Sequence, residues 1–188
     1  MGQRLVTNVK RDGKIILSTY FHWTGYTSSS FELSSIMIDN IRKIPNIKTI
    51  SPLQLAARIY EGTDHNPALD EDERSRVNKE PGTEHLFLPA DRNEGLICVT
   101  DEGIAESANA GEVTVEIDLD KGTVIHDLLW HNDYIDEETD VAPATVLEIN
   151  PEGELSFDDY QELAAFYLDN KDSTVYFLYK GVEYSGLE

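Results

Sequence analysis

Cysteine and long apolar runs are nearly absent from this sequence. Its 188 residues include one cysteine, Cys98, so no disulfide can form within the chain, which is typical of a reducing compartment. Cys98 lies in a short apolar run and is expected to be a buried core thiol rather than a nucleophile. No run reaches the roughly 18 apolar residues of a membrane helix, and the opening residues lack the apolar segment of a signal peptide. We therefore expect a cytoplasmic protein.

Basic residues are scarce in the second half of the chain. Residues 96–188 contain 3 lysines against 23 acids, whereas residues 1–95 contain 12 basic residues against 13 acids. Nearly all of the net charge of −21 therefore belongs to the second half. An anionic surface repels nucleic acid and anionic membranes, and it attracts the lysine and arginine grooves that hold nucleic acid in other proteins. We expect a basic protein partner, and no binding to free nucleic acid or to membranes.

The common motifs of nucleotide, metal and nucleophile sites are missing as well. The chain has no GxGxxG, P-loop, HExxH, CxxC or GxSxG pattern. Without a nucleophile to pair with, each of the five histidines is expected to be structural rather than a general base. We expect no cofactor, and the sequence leaves open whether the protein is an enzyme.

Turn signals between β-rich runs predict a sheet built from hairpins. Asp12 and Gly13 separate the predicted strands 5–9 and 15–21, and both residue types tolerate the positive φ angles of a tight turn. Further strands are predicted over 96–100, 112–120 and 123–129, and a last hairpin over 174–179 and 182–184.

Three helices are predicted from caps and apolar stripes. Ser29 and Glu32 have the spacing of a capping box, Ser51 precedes Pro52 at the start of a second helix, and Ser156 caps a third. Residues 63–94 are polar and are expected to form a loop or insert. Because the strands come in hairpins, we predict a single α+β domain over residues 1–188, with a mainly antiparallel sheet and about three packed helices.

Carboxylates occupy every second position late in the strand predicted over 112–120. Glu116, Asp118 and Asp120 are expected to form a row on one face at intervals of about 6.6 Å. Such a row approaches the linear charge density of a nucleic-acid backbone, to order of magnitude, and it could fill a groove meant for phosphates. Further acids of this predicted partner-binding surface are Asp133, Asp136, Glu137, Glu138 and Asp140.

Two other uses of these acids remain open. A solvated acidic face can serve solubility alone, and carboxylates such as Asp118 with Asp120, or those at 136–140, could hold Mg²⁺ for hydrolytic chemistry. The spacing is unspecific for a metal, and the segregation of charge favours docking on a basic protein. We therefore predict no metal site.

Three stretches carry a resemblance to a family of small proteins from phages and prophages of Gram-positive bacteria. These stretches are GQRL at 2–5, YFHWTGYTSS at 20–29 and DRNEGLI at 91–97, and the resemblance covers about half of the chain. It implies that some relatives are anti-CRISPR proteins acting on the RNA-guided effector nuclease of type II systems. Such a nuclease holds guide and target in a positively charged channel that an acidic competitor could occupy. The expected function is inhibition of that nuclease, or of its guide complex, in the host cytoplasm.

The same resemblance implies a pocket, because the shared polar residues fall at predicted strand ends. A hydrolase or nuclease with a pocket around His22, Arg4, Arg92 and Asn93 is therefore the main alternative, and Tyr20 and Tyr26 belong to the shared set. The opening hairpin also resembles amidohydrolases with an N-terminal nucleophile, but Gly2 has no side chain that could attack. An acidic phage protein with an assembly role is a third possibility.

Overall fold

The computed structural model describes residues 3–127, 145–148, 154–169, 175–179 and 182–185, and the side chains of 3–127 and 154–169. The predicted acids Asp133, Asp136, Glu137, Glu138 and Asp140 lie outside the described residues. No described helix is both long and apolar enough to cross a lipid bilayer.

The described strands form a sheet of seven and a sheet of three. In the larger sheet the order is β3-β4-β2-β1-β5-β6-β8, and in the smaller it is β10-β9-β7. The strands are β1 (Leu5–Arg11), β2 (Lys14–Phe21), β3 (Ala68–Leu69), β4 (Leu96–Cys98), β5 (Val113–Asp118), β6 (Thr123–Asp127), β7 (Thr145–Glu148), β8 (Glu154–Ser156), β9 (Val175–Tyr179) and β10 (Val182–Ser185).

The predicted hairpins at the two ends of the chain are confirmed. β1 and β2 pair antiparallel, and the turn between them places Asp12 at φ 53° and Gly13 at φ 72°, as a tight hairpin turn requires. β9 and β10 also pair antiparallel. In the first hairpin the turn residues therefore fit the local pairing.

The α+β class is confirmed, but the larger sheet is mixed rather than built only from hairpins. β1 pairs in parallel with β5, and β3 pairs in parallel with β4, while the other four neighbouring pairs are antiparallel. A parallel pair needs a long crossover, and the whole segment from β2 to α4 serves this purpose between β1 and β5. Hairpin signals are local, so they do not reveal this pairing.

Five α-helices and one short 3-10 helix are described, and the three predicted helices are among them. They are α1 (Thr27–Lys43), α2 (Pro52–Ile59), α3 (Glu71–Arg76), the 3-10 helix Glu84–Phe87, α4 (Asp101–Ser107) and α5 (Phe157–Asp169).

Two of the three predicted helix caps are confirmed. The Ser51 hydroxyl accepts a hydrogen bond from the backbone N–H of Gln54 (3.1 Å), and Ser156 accepts one from the N–H of Asp159 (3.1 Å). The capping box predicted at Ser29 and Glu32 is wrong, because α1 already begins at Thr27 and its N-cap, Tyr26, makes no side-chain cap bond.

The polar segment 63–94 contains more regular structure than the sequence predicted. It contributes the edge strand β3, the helix α3 and the 3-10 helix, and Leu69 and Leu86 are buried in the main core. β3 pairs with β4 over Ala68 and Leu69. The segment thus completes one edge of the large sheet.

The two faces of the large sheet are covered unequally. Helices α1, α2 and α5 pack on one face, and the core between them and the sheet includes Leu5, Leu17, Phe21, Val115, Phe31, Met37, Ile59, Tyr160 and Tyr167. On the other face lies the short helix α4. Asn8 donates to the carbonyl of Ala108 at the end of α4 (3.1 Å), and the hydroxyls of Ser18 and Ser107 are 3.0 Å apart. Because α4 is short, part of this second face borders a cavity.

The three stretches of the resemblance meet at one corner of the sheet. Gly25 donates its N–H to the carbonyl of Gln3 (3.0 Å), and His22 donates its N–H to the carbonyl of Arg92 (3.0 Å). A Cβ at Gly25 would lie 2.8 Å from the carbonyl carbon of Gln3, so only glycine allows this approach. These stretches therefore have a structural role, whatever their function.

Replacing Gly95 by alanine tests how tightly this corner is packed. Gly95 has φ 116°, and a Cβ there would lie 2.6 Å from Cε1 of Phe21 and 2.8 Å from Cβ of Pro67. Gly82 has φ 81° with nothing within 4 Å, so it controls for backbone strain. We expect Gly95→Ala to lower the free energy of unfolding by about 2 kcal/mol more than Gly82→Ala in urea denaturation. Equal losses in the two variants would contradict this packing.

Candidate functional site

A cavity of about 310 Å³ opens on the face of the large sheet that α4 covers. It lies where α3 and α4 border strands β2 and β4, and its floor includes Tyr20, Leu96 and Cys98. Three of the residues that the resemblance implied for a pocket, Arg4, Tyr20 and Arg92, line this one cavity. The remaining lining residues are Asp70, Asp72, Glu73, Arg76, Gly103, Glu106, Ser107 and Ala110.

The three arginines of the cavity differ in their partners. Arg4 is 3.9 Å from the Glu112 carboxylate, and Arg76 is 3.3 Å from Glu102 and 3.7 Å from Glu73. Arg92 is exposed on the turn before β4, and no ion pair or side-chain hydrogen bond of its guanidinium is found among the described residues. Arg92 therefore has donors available for a ligand.

Glu73 is a buried carboxylate that ties α3 to the end of β4. Its Oε2 accepts the backbone N–H groups of Val99 (2.8 Å) and Thr100 (2.9 Å), and its Oε1 accepts the Thr100 hydroxyl. Glu73 is 1% exposed. Three donors and the nearby Arg76 offset the cost of burying this charge, so Glu73 holds one wall of the cavity in place.

Cys98, on the cavity floor, is not suited to nucleophilic chemistry. Burial, together with the charges of Glu73 and Asp70, raises the pKa of the Cys98 thiol to about 12. A thiol of this pKa carries essentially no thiolate near neutral pH. The structure agrees with the expected core thiol.

The other pocket residues implied by the resemblance lie beside the cavity rather than in it. His22 Nδ1 is 3.0 Å from the Tyr20 hydroxyl, and its ring packs edge-on against Trp23. Asn93 is exposed in the turn before β4, where its N–H donates to Asp91 (2.9 Å). Tyr26 is the N-cap residue of α1. The structure therefore brings together Arg4, Tyr20 and Arg92, with His22 in contact through Tyr20, but leaves Asn93 and Tyr26 outside the lining.

The predicted carboxylate row is largely used for local contacts. Glu116 forms an ion pair with Lys10 (3.0 Å), and Asp118 accepts the N–H groups of Asp120 and Lys121 (both 3.0 Å). Asp120 in turn accepts the N–H of Asp12 at 2.5 Å. Glu116 and Asp118 do share one face of β5, as alternation requires, but they are not a row of free charges.

The acid-rich segments of the second half of the sequence are neighbours in the large sheet. β5, β6 and β8 are consecutive at one side of the large sheet, and β8 leads directly into α5. Residues 112–127 and 154–169, which form this acidic edge, contain ten acids and one basic residue, Lys121.

Cations from the opening half of the chain reach this acidic edge at three points. They are the pairs of Arg4 with Glu112, Lys10 with Glu116, and Arg42 with Asp158. Lys121 itself bonds Glu154 (3.0 Å), a contact that raises the pKa of Lys121 and lowers that of Glu154. The acids still outnumber these cations, and Asp159, Glu162 and Asp169 are exposed on α5.

His126 is buried in the core with both ring nitrogens satisfied. Ser30 donates its hydroxyl to the carbonyl of Thr27 (3.0 Å), so its oxygen must accept from His126 Nε2 (3.1 Å). Nδ1 then accepts from the Tyr160 hydroxyl (2.8 Å). Burial lowers the pKa of His126 to about 3. This confirms the expectation of a structural histidine at this position.

No group of three or more metal-ligating side chains is arranged to hold an ion within the part of the chain that the structure describes. Asp118 and Asp120, one of the two carboxylate sets considered for Mg²⁺, instead bond backbone N–H groups.

Sequence reasoning missed Glu73, Arg76 and Ser107 as cavity residues. Glu73 and Arg76 lie in the charged run 70–76, which contains no apolar periodicity, and Ser107 ends a helix too short to show one. The N-cap position of Asp70, whose side chain accepts the N–H of Asp72 (3.0 Å), was the one available signal of a helix there.

Removing the Glu73 carboxylate should destabilise the fold. Glu73→Ala leaves the N–H groups of Val99 and Thr100 without their acceptor, so we expect a loss of about 3 kcal/mol in the free energy of unfolding. Glu71→Ala, an exposed acid on the same helix, should change it by less than about 0.5 kcal/mol. Urea denaturation of both variants measures the difference, and a loss for Glu73→Ala as small as its control would contradict the assigned bonds.

The buried His126 should make the fold sensitive to acid. Its pKa is about 3 in the folded protein against 6.5 for an unperturbed histidine, so the unfolded state takes up a proton first as the pH falls. The stabilising contribution is therefore fully present above about pH 6.5 and is lost progressively towards about pH 3. Between about pH 7 and about pH 5, wild type should lose about 2 kcal/mol more than His126→Gln, as measured by urea denaturation. Parallel pH profiles for the two proteins would refute the neutral buried ring.

Comparison of the chain with known proteins finds no relative. No protein-family model matches the chain, and no curated protein or solved structure matches it either. The proposals on function therefore depend on the charge and geometry of the chain and on the resemblance of its sequence.

Proposed function

We propose that this protein is an acidic inhibitor that docks on a basic, nucleic-acid-handling protein of the host cell. The observation that carries the proposal is the acidic edge formed by β5, β6, β8 and α5, where ten acids accompany one basic residue of the same segments. A protein that needed only solubility would gain it from mixed charges over its whole surface. An edge whose acids outnumber the cations paired with them instead favours a positively charged groove.

The resemblance of the sequence selects the first partner to test. The RNA-guided effector nuclease of type II CRISPR systems holds its guide–target duplex in a positively charged channel and reads the flanking motif with arginines. An acidic edge placed in that channel would compete with phosphates and would need no catalytic group. Inhibition would take place in the cytoplasm of an infected or lysogenic cell, where the nuclease acts.

The exposed outer side of α5 is the described part of this surface best suited to contact the partner. Glu162 and Asp169 are exposed there, whereas Glu116, Asp118 and Asp120 make the local bonds described above. The acids Asp136, Glu137, Glu138 and Asp140 add to the charge of the same half of the sequence. Recognition in this proposal is electrostatic and should weaken as salt screens it.

The hydrolase alternative has less support from the cavity. Among its described lining residues, Cys98 and Ser107 carry the thiol and the aliphatic hydroxyl, and the Ser107 hydroxyl is engaged with Ser18 (3.0 Å). His22 contacts the cavity only through Tyr20. A nucleophile hydrogen-bonded to a base is the arrangement such chemistry needs, and neither Cys98 nor Ser107 has a base as its described partner. The lining hydroxyl that does contact a base is that of Tyr20, a phenol rather than the serine or cysteine of the usual triads.

Binding to a purified type II effector nuclease loaded with guide RNA tests the proposal. We expect binding at low salt that weakens by at least about tenfold at high salt, inhibition of target cleavage, and no binding to free guide RNA. Calorimetry and a cleavage assay supply the two readouts. Failure to bind the loaded or unloaded nuclease at low salt would overturn the choice of partner.

Paired charge-neutralising variants test the surface. Glu162→Gln with Asp169→Asn removes two charges from α5, while Glu61→Gln with Asp64→Asn removes two exposed charges outside the acidic edge. The first pair should weaken binding by about tenfold and the second by much less, because close charges dominate the interaction. A further variant replaces Asp136, Glu137, Glu138 and Asp140 by their amides. Equal effects of the two pairs would show that net charge, rather than this surface, drives the association.

A further inference from the structure

The cavity on the α4 side of the sheet is lined by side chains of both charges that have no ion-pair partner among the described residues. Arg92 has no described partner for its guanidinium, as noted above, and the exposed acids Asp72 and Glu106 line the same space. No ion pair of the Asp72 or Glu106 carboxylate is found among the described residues. The cavity thus combines available donors with available acceptors.

The charges that line the cavity disfavour the binding of a small inorganic anion. Its lining contains three arginines and four acids, and Glu73 and Arg76 are already paired with each other and with neighbouring groups. A phosphate or sulfate near Arg92 would also experience the repulsion of Asp72 and Glu106, because like charges at short range are costly. A cation alone would face the arginines in the same way. A ligand carrying one charge of each sign avoids both penalties.

The size and floor of the cavity point to a small organic molecule. Its volume of about 310 Å³ is at the lower end of the range of ligand pockets. The floor includes the side chains of Leu96 and Cys98 and the ring of Tyr20, so an apolar portion could be covered there. Polar groups at the rim with an apolar floor are the usual design of a specific small-molecule site.

We propose that this cavity binds a small zwitterion, of the class of α-amino acids and short peptides, with its carboxylate on Arg92 and Arg4 and its ammonium group on Asp72 and Glu106. This site is centred on β4 and β2 and meets the acidic edge only through Arg4, which is 3.9 Å from Glu112, so zwitterion binding does not depend on the inhibitor function. Arg4 and Arg92 are both polar residues of the resembling stretches, so their convergence on one cavity gives those stretches a role beyond packing. Bidentate pairing of guanidinium with carboxylate supplies the directional contact.

Titration of the isotopically labelled protein with single compounds tests the proposal by NMR. The probes are L-glutamine, L-phenylalanine and L-alanyl-L-alanine, with acetate, methylammonium and inorganic phosphate as controls that carry charge of one sign. At least one zwitterion should give saturable shifts at the cavity residues, and its Kd should be at least about tenfold lower than that of any of these controls. Saturation by none of the zwitterions, or equally tight binding of phosphate or acetate, would overturn the proposal.

Three variants locate the binding. Arg92→Gln and Asp72→Asn should each raise the Kd of the best zwitterion by about tenfold, since each removes one of the two charge contacts. Arg58→Gln replaces an exposed arginine of α2 that does not line the cavity and should leave the Kd unchanged. The three substituted residues are exposed, and the folding of each variant is checked by the same spectra. An unchanged Kd in Asp72→Asn would reduce the site to an anion site and refute the zwitterion.

Discussion

The parallel pairing of β1 with β5 is the contact on which the described fold depends. It joins Leu5 to Val113 and continues through Lys10 and Asp118, across about a hundred intervening residues. β1 lies between β2 and β5, and five successive residues of it, from Leu5 to Val9, are buried. Closing so long a loop costs conformational entropy, which the burial of both faces of the strand offsets. This pairing places the acid-rich strands β5, β6 and β8 on one side of the sheet, and so connects a property of the sequence with a surface of the molecule.

How well the sequence predicted this fold depended on the range of each signal. The Asp12-Gly13 turn and the Ser51-Pro52 helix start act over a few residues, and both are confirmed. The start of α1 was misplaced because a tertiary contact decides it, since Gly25 is held on Gln3 and the helix begins two residues later. The β1–β5 pairing has no local signal at all.

The residues expected for the candidate site came from the resemblance and not from any pattern of residue types. Arg4, Tyr20 and Arg92 were expected near a pocket and do line one cavity, but the buried Glu73 could not be expected from a charged run typical of solvent exposure. Its burial is possible because backbone N–H groups at the end of β4 face it, a circumstance that side-chain periodicity does not encode. The carboxylates of β5 are the opposite case. Alternation correctly placed Glu116 and Asp118 on one face, but it did not show that Glu116 would form an ion pair or that Asp118 and Asp120 would bond backbone N–H groups.

The reactivity of the Cys98 thiol depends on how far the surrounding structure opens. Because Cys98 is the sole cysteine and is 7% exposed on the floor of the cavity, alkylating reagents can modify one position, and full access to its thiol requires the lining of the cavity to open. With a pKa of about 12, the folded protein should react far more slowly than a free thiol even where a reagent gains entry. The rate of alkylation in native buffer then increases with the frequency at which the lining around Cys98 opens.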